Sequence, residues 1–313
     1  MARPKGYDRP RMRLRLCWLP VLVAIAGCGG SSPPPAAPPS QPASHLVLLM
    51  LENKEQQQVI GSGEAPYLDS LAREYGVATE SYAILHPSLP NYIILTSGSA
   101  QGIRTNCTNC KARGPNIIGQ LEAKGLSWKA YLESVPKPCY QGAQDGLYVK
   151  KHNPFAYYPN VIDDPRRCRK IVSFRELSAD LTAKRLPTFS YIAPNLCHDM
   201  HDCSIRTGDT FLSKLIPRVI DALGPHGFLV ITFDEGITED GCCGHGNGGR
   251  IPTIVAGPDV APGTSTDDPV NHYGVLATMQ DALGLKRLGA AKDRRSGSLD
   301  GLFRRPPRIT DIG

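Results

Sequence analysis

The sequence predicts an α/β protein built on a doubly wound, mostly parallel sheet. His45–Leu51 (HLVLLML) is an unbroken apolar segment of strand length, which is typical of a strand buried on both faces of a parallel sheet. Gly227–Phe233 repeats this pattern. Both segments end in a pair of side chains that carry oxygen atoms: Glu52 and Asn53 after the first, Asp234 and Glu235 after the second. Because ligands bind at the carboxyl ends of parallel strands, these pairs predict a functional site at one edge of the sheet.

The remaining elements follow from periodicity and from helix-ending residues. In chain order, we expect a helix at Pro66–Tyr75, a strand near Val77–Leu85, a helix at Asn116–Lys124, a strand at Leu126–Leu132, a strand at Thr188–Ala193, a helix from about Asp209 to Leu223, a strand at Ile251–Ala256 and a helix at Asn271–Leu283. Residues 133–176 lack clear periodicity and are expected to form an active-site insertion with little regular structure. The basic segment 285–313 is expected to wrap the surface. Residues 45–313 suffice for one large domain.

The N-terminal residues predict an export signal. Basic residues crowd positions 3–15, an apolar run at Leu14–Ala26 is too short to span a membrane, and small residues precede Cys28. Residues 1–27 therefore resemble a lipoprotein-type signal peptide that leaves a lipidated Cys28 at a membrane surface. A signal that is cleaved without lipidation is the alternative. Residues 28–44 form a Pro- and Ser-rich tether.

The charge balance excludes one class of partner. Six of the 35 Lys and Arg residues and one of the 29 Asp and Glu residues lie in positions 1–27, so 29 basic and 28 acidic residues remain. A nearly neutral mature chain without a basic stripe excludes nucleic acid as the main partner. Nothing in the sequence sets an oligomeric state.

Eight cysteines follow Cys28. An even number in an exported chain predicts disulfides, and we expect local bridges such as Cys197 with Cys203 and Cys139 with Cys168. Zinc binding is the alternative, because Cys107 and Cys110 have the spacing of a zinc knuckle, although no second such pair exists.

The segment His86–Ser99 (HPSLPNYIILTSGS) contains the candidate nucleophile, Ser88. Pro90 suits the first turn of a helix, where no amide donor is needed, and the free amides of that turn favour an anion or an ionised hydroxyl. The segment therefore predicts a nucleophile at a helix N-terminus. The alternative is that Ser88 only caps the helix.

The polar pairs at the strand ends predict a metal site. Like charges so close together are costly unless a cation neutralises them, and oxygen ligands favour a hard divalent ion, while nearby histidines leave zinc or iron open. The alternative is that single members of these pairs are surface carboxylates or helix caps.

Three polar loops offer further candidates. They are Asn195–Ser204 (NLCHDMHDCS), which suits metal or phosphate contact, Cys242–Arg250 (CCGHGNGGR), whose glycines allow amides to approach an anion near His245 or Arg250, and Lys150–Asn153 (KKHN), which offers cations and proton donors. For each loop, solvated polar residues without a ligand are the alternative.

Several motifs occur together in one order. They are HLVLLMLEN, HPSLPNY, KHNPFAYY, NLCHDMHDCS, TFDEG, GGRIPTIVAGP, NHYGVLATMQDALGL and the closing ITDIG. This set resembles the bacterial phosphoesterase family that contains secreted acid phosphatases, those of mycobacteria among them, and phosphatidylcholine-type phospholipases C. The resemblance implies an alkaline-phosphatase-like α/β/α sandwich.

The resemblance also implies roles for individual residues. It implies Ser88 as the nucleophile and a divalent metal ion held by Glu52, Asn53, Ser88, Asp234 and Glu235. His152 and His201 are implied as further catalytic residues, and Asn106, Lys151 and Asp199 as substrate-binding residues.

The expected activity is that of a metal-dependent acid phosphatase, which hydrolyses phosphate monoesters, phosphoinositides among them, through a phosphoserine intermediate. A phospholipase C-type phosphodiesterase is the first alternative. A non-catalytic surface lipoprotein that binds a ligand or partner is the second, although a binding protein has no need of a nucleophile.

Overall fold

The structure, a computed structural model, describes residues 44–309 and the single residue Ala2. The predicted signal peptide lies outside the described residues except for Ala2. The tether, which begins with Cys28, lies outside them except for Ser44. Within residues 44–309, no helix has the length and apolar character needed to span a lipid bilayer.

A twisted sheet forms the centre of the domain. In the described residues the strands are β1 (Leu46–Leu51), β2 (Gly76–Ala78), β3 (Ser81–Tyr82), β4 (Trp128–Leu132), β5 (Gln144–Asp145), β6 (Tyr148–Val149), β7 (Ile171–Ser173), β8 (Phe189–Ala193), β9 (Phe228–Phe233), β10 (Thr253–Ala256), β11 (Thr264–Thr266) and β12 (Val270–Asn271). The central sheet has eight strands in the order β11-β2-β10-β9-β1-β8-β4-β7. The five from β9 to β7 are parallel, and β10 is antiparallel to both neighbours. The predicted α/β fold with a mostly parallel sheet is confirmed.

Helices cover both faces of this sheet. The α-helices of the described residues are α1 (Gln56–Val59), α2 (Pro66–Glu74), α3 (Ser88–Ser97), α4 (Ile117–Ala123), α5 (Pro159–Ile162), α6 (Pro165–Cys168), α7 (Phe174–Thr182), α8 (Ile205–Asp221) and α9 (His272–Ala282). Alternate residues of β1 pack on opposite faces: Leu48 lies in one core cluster with α3, α4 and α9, and Leu49 lies in the other with α2, α7 and α8. Burial on both faces explains why β1 is apolar throughout.

Helix α3 is buried along its whole length. Ser88 is its first residue, Pro90 lies in the first turn, and every residue from Ser88 to Ser97 is buried. The helix ends at Gly98, which has a φ of 72°, and a Cβ at this position would lie 2.3 Å from the carbonyl oxygen of Leu288. Burial of the whole helix and this close contact at its C-terminal end therefore restrict the position of Ser88.

Three expectations about the elements are wrong in part. Residues 133–176 are not irregular, because they contain the β5–β6 hairpin, α5, α6 and strand β7 of the central sheet. These elements are too short to show periodicity. Helix α8 begins at Ile205 rather than near Asp209, since the side chain of Ser204 accepts a hydrogen bond from the Thr207 amide and caps it. The C-terminal segment does not only wrap the surface, because Leu299 and Leu302 are fully buried in the core.

Disulfides join all eight cysteines of the described residues. Cys139–Cys168 and Cys197–Cys203 are bridged as predicted. The other two bridges are Cys107–Cys110 and Cys242–Cys243. Because the sulfurs of Cys107 and Cys110 bond each other, this pair does not supply two thiolates to zinc.

Candidate active site

The candidate site lies where β1 and β9 end side by side. The two strands are parallel neighbours with Leu51 opposite Phe233, so the residues that follow them emerge together. The amide of Asn53 donates to Asp234 Oδ1 over 2.9 Å. The two polar pairs predicted from the sequence are thus in direct contact.

Ser88 points into this cluster. Its Oγ lies 3.2 Å from Glu52 Oε2 and 3.1 Å from Glu235 Oε1, and its hydroxyl donates to one of the two at a time. The residue is 1% exposed. The alternative that Ser88 is a helix cap is wrong, because the N-cap residue is Pro87 and the Ser88 hydroxyl faces carboxylates.

Glu52 is surrounded by donors and positive charge. The hydroxyl of Tyr92 donates to Oε1, and Asn53 Nδ2 donates to Oε2 over 2.8 Å. His152 Nε2 lies 3.2 Å from Oε1, and Lys151 Nζ lies 4.0 Å from Oε2. Burial raises the pKa of this carboxyl, but His152 above all, with Lys151 and Tyr92, outweighs burial and lowers the pKa to about 2.

His152 lies between two carboxylates. Its Nδ1 is 3.0 Å from Asp199 Oδ2, its ring stacks on Tyr92, and the residue is only 3% exposed. Burial lowers the pKa of His152, but the charges and hydrogen bonds of Glu52 and Asp199 raise it to about 9. His152 is therefore a buried imidazolium that holds Glu52 ionised.

The two acids after β9 have fewer donors and positive charges beside them than Glu52 has. Asp234 is fully buried, and its Oδ2 has no hydrogen-bond partner among the described residues. Burial, together with the charges of Glu52 and Glu235, holds the pKa of Asp234 well above its ordinary value. Burial also raises the pKa of Glu235, although the carboxylate pairs with Nδ1 of His86.

The remaining predicted residues surround Ser88. Lys151 Nζ lies 3.5 Å from Ser88 Oγ and 3.3 Å from Nε2 of His201, a residue at the exposed mouth of the site. Asn106 Oδ1 accepts a hydrogen bond from the Leu89 amide over 2.9 Å. Asp199 Oδ1 accepts from the His201 amide over 2.8 Å. All ten residues singled out as site candidates thus lie at this one edge.

The donor set fits a hard divalent cation. Glu52, Asp234, Glu235 and Asn53 supply oxygen atoms, Asp234 Oδ2 has no partner among the described residues, and burial raises the pKa of both Asp234 and Glu235. In the described residues, no three His, Cys, Asp or Glu side chains are already drawn together closely enough to hold an ion. The fit therefore rests on donor chemistry and charge.

Two contacts of this site were not predicted from the sequence. Tyr92 binds Glu52, and it lies four residues after Ser88, so that one helical turn places both on the same side of α3. His86, which pairs with Glu235, lies two residues before Ser88. The position of Tyr92 relative to Ser88 could have predicted its role. His198 lies outside the site, since it pairs with Glu133 and stacks on Phe211.

A sequence profile of the Phosphoesterase family matches residues 50–286. The chain belongs to this family. This phosphoesterase is 32% identical over 258 residues to a phosphatidylinositol-3-phosphatase of Mycobacterium tuberculosis, a match that covers 81% of this chain and 77% of the relative. It is 32% identical over 232 residues to an acid phosphatase of Aspergillus fumigatus, covering 70% of this chain but only 51% of the relative. The phosphoesterase is accordingly a hydrolase that acts on phosphoric ester bonds.

Solved structures show the same fold. The lipoteichoic acid synthase LtaP of Listeria monocytogenes superimposes with a TM-score of 0.57 at 12% identity, covering 82% of this chain and 76% of that one. An alkaline phosphatase superfamily protein of Vibrio parahaemolyticus gives a TM-score of 0.54 at 14% identity, over 78% and 67% of the two chains. The phosphoesterase therefore has the alkaline phosphatase superfamily fold, as the sequence motifs implied.

Proposed function

We propose that this phosphoesterase is a metal-dependent phosphatase that hydrolyses phosphate monoesters through a phosphoserine at Ser88. One observation carries the proposal. Ser88 Oγ lies 3.2 Å from Glu52 and 3.1 Å from Glu235, and among the described residues it is the only hydroxyl oxygen within hydrogen-bond distance of an acid after β1 and an acid after β9. The fold does not require a serine hydroxyl that is buried among carboxylates at a helix N-terminus. The names of the bacterial and fungal relatives support the activity on phosphate monoesters.

The divalent cation would be held by the residues Glu52, Asn53, Ser88, Asp234 and Glu235. Bound there, the cation would lower the pKa of the Ser88 hydroxyl and polarise a phosphoryl oxygen. Asp234 Oδ2, which lacks a hydrogen-bond partner within residues 44–309, is a ready ligand atom. The pairing of Glu52 with His152 keeps that carboxylate ionised and oriented for the same role.

The reaction proceeds in two displacements. Ser88 Oγ attacks phosphorus in line, the bond from phosphorus to the leaving oxygen breaks, and a phosphoserine forms. Water then attacks phosphorus and releases inorganic phosphate and the free Ser88 hydroxyl. Lys151, 3.5 Å from Ser88 Oγ, stabilises the negative charge on the phosphoryl oxygens.

The two candidate histidines have different positions, which suggests different roles. Both nitrogens of His152 face carboxylates in the interior, so His152 is better placed to hold Glu52 and Asp199 than to reach a leaving group. His201 lies at the mouth, with Nδ1 on Asp202 Oδ1 and Nε2 beside Lys151. We assign His201 as the proton donor to the leaving alkoxide.

Asn106 is the predicted contact for a phosphate oxygen. Its Oδ1 binds the Leu89 amide, which orients the side chain beside Ser88, and the next residue, Pro90, has no amide hydrogen. The first turn of α3 therefore offers a phosphate fewer free amides than an ordinary helix N-terminus does. Side chains, Asn106 and Lys151 first, must supply more of the phosphate contacts.

The test is replacement of Ser88 in the full-length chain. Ser88→Ala should abolish release of p-nitrophenol from p-nitrophenyl phosphate, while Ser70→Ala, an exposed serine of α2, should keep the activity of the unaltered protein. Circular dichroism verifies that both variants fold. Rapid acid quenching should trap a phosphoserine in the unaltered protein only. Substantial turnover by a folded Ser88→Ala variant would exclude Ser88 as the nucleophile.

The same assay separates monoesters from diesters. We expect hydrolysis of p-nitrophenyl phosphate and of a soluble phosphoinositide, with an acidic optimum, and little hydrolysis of p-nitrophenyl phosphorylcholine. A preference for the phosphorylcholine ester would instead support a phospholipase C-type activity. Absence of both activities after addition of Mg²⁺, Ca²⁺, Mn²⁺ or Zn²⁺ would support a non-catalytic binding protein.

We also propose that the enzyme is exported and held at a membrane surface through a lipidated Cys28. The signal-like residues before Cys28 and the disulfides of the folded part support this location. Radiolabelled palmitate should be incorporated into the full-length chain expressed in a bacterium and not into its Cys28→Ala variant. Equal labelling of both would contradict lipidation at Cys28.

A further inference from the structure

A cavity of about 370 Å³ lies beside the helix that carries Ser88. Its walls are the segment 99–104 that follows α3, residues Ile84 and Leu85 that precede Ser88, and residues His245, Gly246 and Tyr273. None of the ten residues assigned to the catalytic site lines it. The cavity is thus separate from the reacting centre, yet one of its lining residues, Leu85, lies three residues before the nucleophile.

The glycine-rich loop Cys242–Arg250 forms one wall by packing against the chain that leads to Ser88. The amide of Asn247 donates to Ile84 O over 3.0 Å, and that of Gly248 donates to Ala83 O over 3.2 Å. A Cβ on Gly246 would lie 2.0 Å from Ile84 O, so only glycine permits this approach. The loop glycines therefore serve close packing, which brings His245 to the cavity.

Arg104 is the only Lys or Arg among the described residues that line the cavity. Arg104 is exposed and forms no ion pair or hydrogen bond with any other residue in the range 44–309. No Asp or Glu side chain of the described residues lines the cavity. His245 Nε2 donates to Asp293 Oδ2 over 2.8 Å, and its ring packs edge-on against Tyr273, which fixes its orientation. An unpaired guanidinium above a partly apolar cavity is suited to an anionic group.

Arg104 is close to the catalytic centre along the chain. It precedes Asn106 by two residues, and Asn106 Oδ1 binds the amide that follows Ser88. Because two residues span at most about 7 Å, and an extended arginine side chain adds a similar length, a group about 10 Å from the reacting phosphorus is within reach of the guanidinium.

We infer that this cavity binds a second phosphate group of the substrate, and that Arg104 selects bisphosphorylated over monophosphorylated substrates. The inference rests on the proposed function, since it names the substrate class of the same site. The chemistry is that of a guanidinium binding phosphate oxygens through paired N–H donors, away from the atoms that react.

The test compares two substrates that differ by one phosphate. Phosphate release from fructose 1,6-bisphosphate and fructose 6-phosphate gives kcat/KM for each in the full-length enzyme. Because the bisphosphate has two phosphates that can react, a twofold higher kcat/KM for the bisphosphate shows no preference. We expect its kcat/KM to exceed that of the monophosphate by a ratio of at least ten. Arg104→Gln should lower that ratio to about two, mainly through KM, and Arg104→Lys should restore part of it. Arg113→Gln, an exposed arginine of another groove, should keep the ratio of the unaltered enzyme.

The outcomes are distinct. An active enzyme with a ratio of two or less, or an Arg104→Gln variant that keeps the high ratio, would overturn the inference and leave the proposed phosphatase activity intact. An equal fall in Arg113→Gln would also overturn it, because the effect would then reflect net charge. An unaltered enzyme that releases phosphate from neither sugar nor from p-nitrophenyl phosphate would instead contradict the proposed function itself.

Discussion

Two fully buried carboxyl groups, Glu52 and Asp234, follow neighbouring parallel strands, and the protein treats them in opposite ways. Glu52 receives a tyrosine hydroxyl, an asparagine amide and an imidazolium, and its pKa falls to about 2. Asp234 accepts a hydrogen bond from one backbone amide, its other oxygen has no partner in the part of the chain that the structure describes, and its pKa stays well above the ordinary value. Burial is the same for both, so the cations nearby decide the charge. The negative charge of Glu52 is balanced by groups of the protein itself, whereas that of Asp234 is balanced only when a cation binds.

Two buried histidines show the same contrast. His152 lies between Glu52 and Asp199, and their charges raise its pKa to about 9. His272 has no carboxylate partner among the described residues; its Nε2 donates to Phe233 O over 3.0 Å, and burial lowers its pKa to about 4. Equal burial thus gives a charged histidine in one place and a neutral one in the other.

The largest expected effect is the difference in unfolding free energy between a Glu52 variant and an Asp234 variant of the cation-free protein. Glu52→Gln leaves the buried imidazolium of His152 with one carboxylate fewer, so we expect the free energy of unfolding to fall by about 3 kcal/mol. Asp234→Asn removes an acid that lacks compensation, so its unfolding free energy should change by less than about 1 kcal/mol in either direction. Urea unfolding in EDTA at pH 7 measures both. Equal losses in the two variants would contradict the contrast.

His272 predicts an acid-dependent loss of stability. Its pKa is lower in the folded state than the ordinary 6.5, so the unfolded chain binds more protons between pH 6.5 and about 4. Stability should therefore fall as the pH drops through this window, by about 3 kcal/mol for this residue at the lower end. His272→Gln, which keeps a side-chain N–H for Phe233 O, should flatten this part of the pH profile measured by urea unfolding. His226→Gln, an exposed control, should leave the profile unchanged. A His272→Gln profile as steep as that of the unaltered protein would exclude this residue as the cause.

The elements that the sequence predicts well are those with a strong physical signal. The apolar segments that became β1, β8 and β9 are long enough to show burial on both faces, and the acids after β1 and β9 meet because parallel neighbours end at one edge. Strand β7 and helix α7 were missed, because β7 has three residues and α7 buries few apolar side chains. Local pattern carries little information about such elements.

The position of His152 between two acids was beyond prediction. The motifs placed His152 and Asp199 at the site, but no spacing indicated that His152 lies between Asp199 and Glu52 rather than facing the substrate. That arrangement depends on how a short 3₁₀ turn at Lys150–His152 packs against α3, and tertiary packing alone determines it.

A bound divalent cation should remove the difference between the two acids. A cation that binds only the folded protein stabilises it by about 2.7 kcal/mol at one hundred times its dissociation constant. We expect this gain for the unaltered protein in a titration with Mg²⁺, Ca²⁺, Mn²⁺ or Zn²⁺ followed by thermal unfolding. Asp234→Asn should lose most of the gain, because the mutation replaces an anionic ligand by a neutral one. A full gain in that variant would mean that the cation binds elsewhere.

The smallest expected effect concerns the loop that presents Asp234 and Glu235. Glu55 is buried and its Oε1 accepts hydrogen bonds from the amides of Ile237 and Thr238, at 2.8 Å and 2.9 Å. A Cβ on Gly236 would lie 2.2 Å from this oxygen, so the carboxylate fits directly against the loop. Glu55 thus restrains the acids after β9 through backbone contacts, whereas Glu52 is restrained through its own side chain.

Glu55→Gln keeps an acceptor oxygen but weakens both hydrogen bonds, so we expect a loss of about 1 kcal/mol in unfolding free energy. Looser placement of Asp234 and Glu235 should also weaken cation binding about tenfold, which isothermal titration calorimetry measures. Glu64→Gln, at an exposed glutamate, should change neither quantity. If the cation affinity of folded Glu55→Gln equals that of the unaltered protein, the loop holds the acids without Glu55, and the free oxygen of Asp234 is then positioned by strand β9 alone.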